Sequence, residues 1–158
     1  MAETLADQVI QKIRQAPELY HKLVLIIAPA GTGKTTVLRD VMERIDSSLI
    51  NVNLELSRRL LDLTKRQRPL KVTKALDEIL ISCAGPIVLL DNTEILFDFS
   101  LQIDPLRLLQ ELSRNKIVVA TWNGTIQGDH MNYAVTDHPE YRRYKIHDFL
   151  VVSPEDIQ

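Results

Sequence analysis

Apolar positions along the chain alternate between continuous runs and helical stripes. Thr4-Leu5-Ala6-Asp7 reads as a capping box, and Leu5, Val9 and Ile13 line one face of the helix it starts. Pro17 follows that helix. Leu23-Val24-Leu25-Ile26-Ile27 is apolar throughout, as in a strand covered on both faces. Gly31 and Gly33 break the run, and Val37, Leu38, Val41, Met42 and Ile45 then recur at helical spacing. Leu49-Ile50-Asn51-Val52 predicts a second strand. Asn53 is the expected cap of a helix that buries Leu56, Leu60 and Leu63, with Pro69 ending it. Thr73 is expected to start the next helix, with Leu76, Ile79, Leu80 and Cys83 inward, and Gly85-Pro86 to close it. Ile87-Val88-Leu89-Leu90 predicts a third strand closed by Asp91. Asp104-Pro105 is a strong helix start, with Leu106, Leu109 and Leu112 on one face. Ile117–Ala120 and Phe149–Val152 predict the fourth and fifth strands, separated by a polar loop from Asn123 to about Tyr141.

Uniformly apolar strands alternating with helices indicate a parallel sheet between helical layers, an α/β three-layer sandwich of about five mostly parallel strands. Ligands in such folds lie beyond the C-terminal strand ends. The Gly31 loop, Asp91, Thr121 and Asn123 all fall there. The length of 158 residues, 45% hydrophobic and 25% charged, suits one domain over residues 1–158, with residues 1–17 as a helix packed on the core. No run approaches the roughly 18 apolar residues of a membrane helix. MAETLADQ lacks a basic start followed by an apolar stretch, and the single Cys83 cannot form an internal disulfide, so the cytoplasm is the expected compartment. Cys83 reads as a packed residue.

Residues 28–35, Ala-Pro-Ala-Gly-Thr-Gly-Lys-Thr, match the phosphate-binding pattern G-x-x-x-x-G-K-[ST] with Ala28 replacing the first glycine. Backbone N–H groups across Ala30, Gly31, Thr32 and Gly33 would surround a phosphate, and the helix start at Lys34, Thr35 and Thr36 adds its positive end. Lys34 would reach the β- and γ-phosphates, and Thr35 with Asp91 would hold Mg²⁺. The expected ligand is Mg-ATP, with GTP undecided. A strand in sequence between the loop and Asp91 is typical of the additional-strand branch of P-loop NTPases, which includes RecA-like and AAA+ proteins.

In many of those proteins a glutamate follows the Asp and activates water. Asn92 stands here instead, and an amide cannot take a proton. Glu94 and Glu55 are the alternative carboxylates, each also readable as a first-turn helix residue. Asn123, after the fourth strand, is a candidate γ-phosphate sensor. Arg142 and Arg143 are candidates for an arginine supplied across a subunit interface, and Arg114 reads more simply as a helix-end charge. Trp122 reads as a packing residue. After Val152 only six residues remain, so no C-terminal helical lid is expected.

Charge is uneven. Arg58–Lys74 holds seven basic residues and one acid, a net +6, which leaves −8 on the rest of a chain of net charge −2. An anionic partner is one reading, DNA or a subunit interface among the choices, and a solvated helical face is the plain one.

The strings Asn51–Leu60, Leu90–Phe97, Trp122-Asn123-Gly124 and His138–Tyr144 resemble the BrxF family, small P-loop proteins of BREX phage-defence systems. The resemblance spans nearly the whole chain. It implies a bacterial cytoplasmic protein that works with other BREX proteins, in systems that discriminate methylated host DNA from phage DNA. It also implies that Asn92 belongs to the family pattern. Two functions follow as expectations: an oligomeric, ATP-hydrolysing switch acting on DNA or partner proteins, or a nucleotide-binding scaffold with little hydrolysis. A small-metabolite kinase is a weak third.

Overall fold

The computed structural model describes residues 4–133 and 142–154. Helix α1 (Leu5–Gln15) starts at the expected capping box: Asp7 N–H donates to Thr4 Oγ1 at 3.1 Å and Thr4 N–H to Asp7 Oδ2 at 3.0 Å. Strand β1 (Leu23–Ala28) is buried at every position. It leads through the glycine loop to α2 (Lys34–Arg44). Then come β2 (Ser48–Asn51), α3 (Val52–Leu60), α4 (Arg68–Ile81), β3 (Ile87–Asp91), α5 (Pro105–Leu112) and β4 (Ile117–Asn123). Short strands β5 (Ile126–Gln127), β6 (His130–Tyr133) and β7 (Arg142–Lys145) precede β8 (Leu150–Val152).

Five strands form one parallel sheet in the order β2-β3-β4-β1-β8. Strand side chains alternate between two cores. Val24, Ile26, Leu89, Val119 and Val152 pack with α1 and α2, while Leu23, Leu25, Val88, Leu90 and Val118 pack with α3, α4 and α5. This is the expected three-layer α/β sandwich. Each fully buried aliphatic contributes roughly 1.5–3 kcal/mol, so the sheet centre is the main store of stability. Among the described residues no helix is long and apolar enough to cross a membrane, and no α-helix follows β8.

Several boundaries differ from the sequence reading. Asn51, not Asn53, caps α3: its Oδ1 accepts from Leu54 N–H at 3.0 Å. Pro69 sits in the first turn of α4, where its missing N–H costs nothing. It starts a helix there rather than ending one, and Thr73 lies inside that helix. The turn before it carries reciprocal bonds, Gln67 N–H to Thr64 Oγ1 (3.2 Å) and Thr64 N–H to Gln67 Oε1 (3.0 Å). That Thr-x-x-Gln box is a helix-start signal local enough to be carried by the sequence itself. The strand separating β1 from the Asp91 strand in space is β4, whereas β2, between them in sequence, is at the sheet edge.

The start of the expected polar loop after Asn123 carries two strands, β5 and β6, which with β7 form a second, antiparallel sheet in the order β5-β6-β7. Its strands are two to four residues long, too short for a visible alternation. It joins the main core through aromatics. Trp122 is fully buried, donates its indole N–H to Asn132 O at 2.8 Å, and meets Phe97, Tyr133 and Tyr144 edge-on. Phe97 stacks on Tyr133 with centroids 3.5 Å apart. Trp122 is thus the packing residue expected of it. Cys83, half-buried, packs against the same core. Residues 138–141 of the family-like string lie outside the described residues.

Candidate nucleotide site

The loop after β1 turns on two left-handed glycines, Gly31 (φ 79°) and Gly33 (φ 87°). A Cβ at either would meet nothing within 4 Å, so backbone conformation rather than space demands glycine there. Gly33 caps α2 without any side-chain cap. Thr32 closes a turn on Pro29, and the N–H groups of Gly31, Gly33, Lys34, Thr35 and Thr36 have no acceptor among the described residues. The loop therefore presents unsatisfied donors at the positive end of α2.

Lys34 is 9% exposed, and its chain folds back along the loop. Its Nζ donates to Ala28 O at 3.0 Å and Pro29 O at 2.8 Å. Burial lowers its pKa below the ordinary lysine value, and the carboxylates of Glu94 and Asp91 work against that shift. Thr35 Oγ1 donates to Asp91 Oδ2 at 2.6 Å, across 56 residues of sequence. Asp91 is 7% exposed. Its Oδ1 accepts from Asn92 N–H at 2.9 Å and Thr121 Oγ1 at 3.4 Å. Thr93 Oγ1 donates to Thr121 O at 2.6 Å, tying the end of β3 to β4. No sequence signal singled out Thr93.

These groups line a cleft of about 180 Å³ at the C-terminal ends of β1, β3 and β4. Ala30, Gly31, Gly33, Lys34 and Thr35 bound it on the loop side, and Asp91 at the end of β3. Asn92 and Glu94, just after β3, and Thr121 and Asn123, at the end of β4, complete it. Asn123 Nδ2 donates to Glu94 Oε1 at 2.8 Å, so the candidate sensor and one candidate base form a pair. Asn92 sits in the left-handed region (φ 54°), and its carbonyl accepts from Asn53 N–H at 3.1 Å, which links the cleft to α3.

The other sequence candidates fall elsewhere. Thr32 turns its hydroxyl to Pro29 O at 2.6 Å, and Thr36 is exposed on α2. Glu55, on α3, does not line the cleft. Its carboxylate pairs with Arg59 at 2.9 Å and Arg58 at 3.5 Å. Arg142 and Arg143 lie on β7, outside the lining. Arg142 donates to Ile103 O at 3.4 Å with its guanidinium 5.9 Å from the Phe97 centroid, and Arg143 is exposed. Arg114 lies 5.0 Å over the Tyr20 ring, far from the cleft in the fold. The basic stretch is divided: Arg58 and Arg59 pair with Glu55, Arg68 Nε donates to Leu60 O at 3.2 Å, and Lys71 and Lys74 project from α4.

The donor set fits a magnesium–triphosphate. An ammonium and a ring of amides suit phosphate oxygens, and a hydroxyl beside a carboxylate suits a hard divalent cation. The glycine loop after β1, the acid at the end of β3 and the single strand between them make this an α/β core of the P-loop NTPase type. No protein-family model and no curated protein matches the chain. Among solved structures, C. elegans PCH-2 is similar at 20% identity, over 75% of this chain and 34% of that one, with a TM-score of 0.39. The DnaC helicase loader is similar at 14% identity, over 80% and 75% of the two chains, with a TM-score of 0.36. This chain spans about a third of the PCH-2 chain. With scores this low, the fold assignment rests on strand order and loop geometry.

Proposed function

We propose that this chain binds Mg-ATP in the cleft between the Gly31 loop and Asp91 and hydrolyses it as an oligomeric switch. The observation that carries the reading is the Thr35–Asp91 contact at 2.6 Å beside the buried Lys34, in a loop where most of the amides lack acceptors. Lys34 and the amides of residues 31–36 hold the phosphate tail, and Thr35 with Asp91 holds magnesium. Magnesium, when bound, neutralises phosphate oxygens and orients them for attack. Glu94 is the carboxylate that the cleft offers as a proton acceptor for water, and Asn123 positions it. An arginine of another copy, Arg142 or Arg143, adds positive charge at the phosphate.

The resemblance to the BrxF family supports a place in a bacterial, cytoplasmic anti-phage complex with other BREX proteins. A second reading, a nucleotide-binding scaffold with little hydrolysis, draws on Asn92 beside Asp91 and on a Glu94 already engaged by Asn123.

Calorimetric titration with ATP and MgCl₂, with turnover followed over rising protein concentration, tests both. The switch requires binding that Lys34→Ala abolishes, and turnover per subunit that rises with concentration. Binding without turnover, with or without partner proteins, favours the scaffold. Absence of heat with ATP and with GTP overturns the nucleotide reading.

A further inference from the structure

The outer side of α4 is explained neither by the core nor by the cleft. Leu70 and Ile81 are 80% and 70% exposed, among the most exposed large aliphatics of the described residues. They stand eleven residues apart, close to three full turns, and so share one stripe of the helix. Thr73, Lys74, Asp77 and Glu78 lie between them, all exposed. Charge along the stripe changes sign: Lys71 and Lys74 occupy the N-terminal half, Asp77 and Glu78 the C-terminal half.

That order opposes the helix dipole, which favours acids near the N-terminus and bases near the C-terminus. The helix has no acid in its first turn and no base in its last. Pairing within the helix does not relieve the conflict. Among the described residues none of Lys71, Lys74, Asp77 and Glu78 joins an ion pair. Lys74 and Glu78 are four apart in the less favourable order, base before acid.

A second, antiparallel α4 reverses each disadvantage. A twofold axis passing between Ala75 and Leu76 sets Leu70 against Ile81 of the second copy and Lys74 against its Asp77. Thr73 then meets its Glu78. The basic half of each helix faces the acidic half and the negative dipole end of the other, and both exposed aliphatics are covered. Such self-complementarity is what an isologous contact requires.

We propose that two copies of this chain pair through the exposed stripe of α4, antiparallel and about that axis. One helix face is a small interface, so the pair is concentration-dependent. The pairing is argued from α4 alone, and it stands whether or not the cleft binds nucleotide.

Sedimentation velocity of the full chain, from low micromolar concentrations upward, tests it. The wild type shifts from one chain to two. Lys74→Glu and Asp77→Lys each place like charges opposite one another twice, and weaken association by about tenfold or more. Both changes in one chain restore opposite charges and recover the dimer. Mixing the two single variants gives the dimer as well. Circular dichroism confirms folding; should a charge variant misfold, Leu70→Ser and Ile81→Ser, which remove only exposed apolar surface, carry the test with the same expected weakening. A monomer at all concentrations overturns the proposal. So does an oligomer indifferent to these changes, or a doubly changed chain no better than the single ones. Salt-sensitive DNA affinity lost in Lys74→Glu with no change in mass overturns it in favour of DNA contact. Nucleotide binding, read separately by calorimetry, is unchanged by these variants, so the two readings fail independently.

Discussion

The five-stranded and three-stranded sheets share one end of the molecule but are built differently. In the parallel sheet the inner strands β1, β3 and β4 are nearly all buried, and register is held by apolar side chains entering two cores. In the antiparallel sheet the strands are short, and only β6 is mostly buried, while β5 and β7 alternate between half-buried and exposed. Register there depends on a few particular contacts: the Trp122 indole bond to Asn132, the Phe97–Tyr133 stack, and the approach of Gly124 to Asn132. Diffuse burial tolerates substitution of one apolar residue by another, whereas point contacts do not. The cleft lies where the diffuse sheet ends and the point contacts begin, with Asn123 as the last residue of β4.

The largest expected effect is on the parallel sheet. Leu89→Ala, at a fully buried position of β3, costs about 2–5 kcal/mol and lowers amide protection throughout the molecule. Loss confined to β3 would show that the sheet is not one cooperative unit. Next comes Gly124→Ala. Its Cβ would lie 1.8 Å from Asn132 O, so backbone must move, at about 1–3 kcal/mol. The comparison requires exchange to rise in β5 and β6 while β1 stays protected. Asn92→Ala costs about 1–2 kcal/mol, because alanine lacks the tolerance of asparagine for the left-handed region, and Asn92→Gly costs less. Equal melting points for these two variants would remove backbone strain as the reason.

The smallest effect lies on the exposed start of α1. Asp7 has its pKa lowered from 3.8 to about 2 by the Thr4 N–H, helped by Arg44 and the Thr4 hydroxyl. Because the folded value is depressed, its contribution to stability is complete above pH 3.8 and disappears as pH falls through about 2. Arg44→Ala moves the midpoint seen by NMR titration upward. An unmoved midpoint would assign the shift to the capping box alone.

The phosphate loop was legible because its chemistry is local. Glycines at fixed offsets, a lysine and a threonine all lie within six residues, between a strand and a helix that periodicity reveals. Asp91 was legible as the acid closing an apolar strand. Of Glu55 and Glu94, which follow strand ends at similar spacing, the sequence favours Glu94 but does not decide the choice. Tertiary structure separates them: α3 turns Glu55 toward Arg58 and Arg59, and the short turn Thr93–Phe97 leaves Glu94 beside Asn123. Helix starts are ambiguous where one signal hides another: Pro69 alone suggests a terminator, while Thr64 and Gln67 just before it mark a beginning.

By itself the amino-acid order determined the α/β class, the placing of all five parallel strands to within a few residues at their ends, and the loop that would hold phosphate. Each of these rests on periodicity or on residues close along the chain. Which strand separates β1 from the Asp91 strand, which carboxylate enters the cleft and how Trp122 anchors a second sheet were decided only by three-dimensional packing. Those outcomes depend on contacts between residues about 10 to 90 positions apart, and short-range patterns carry no record of them.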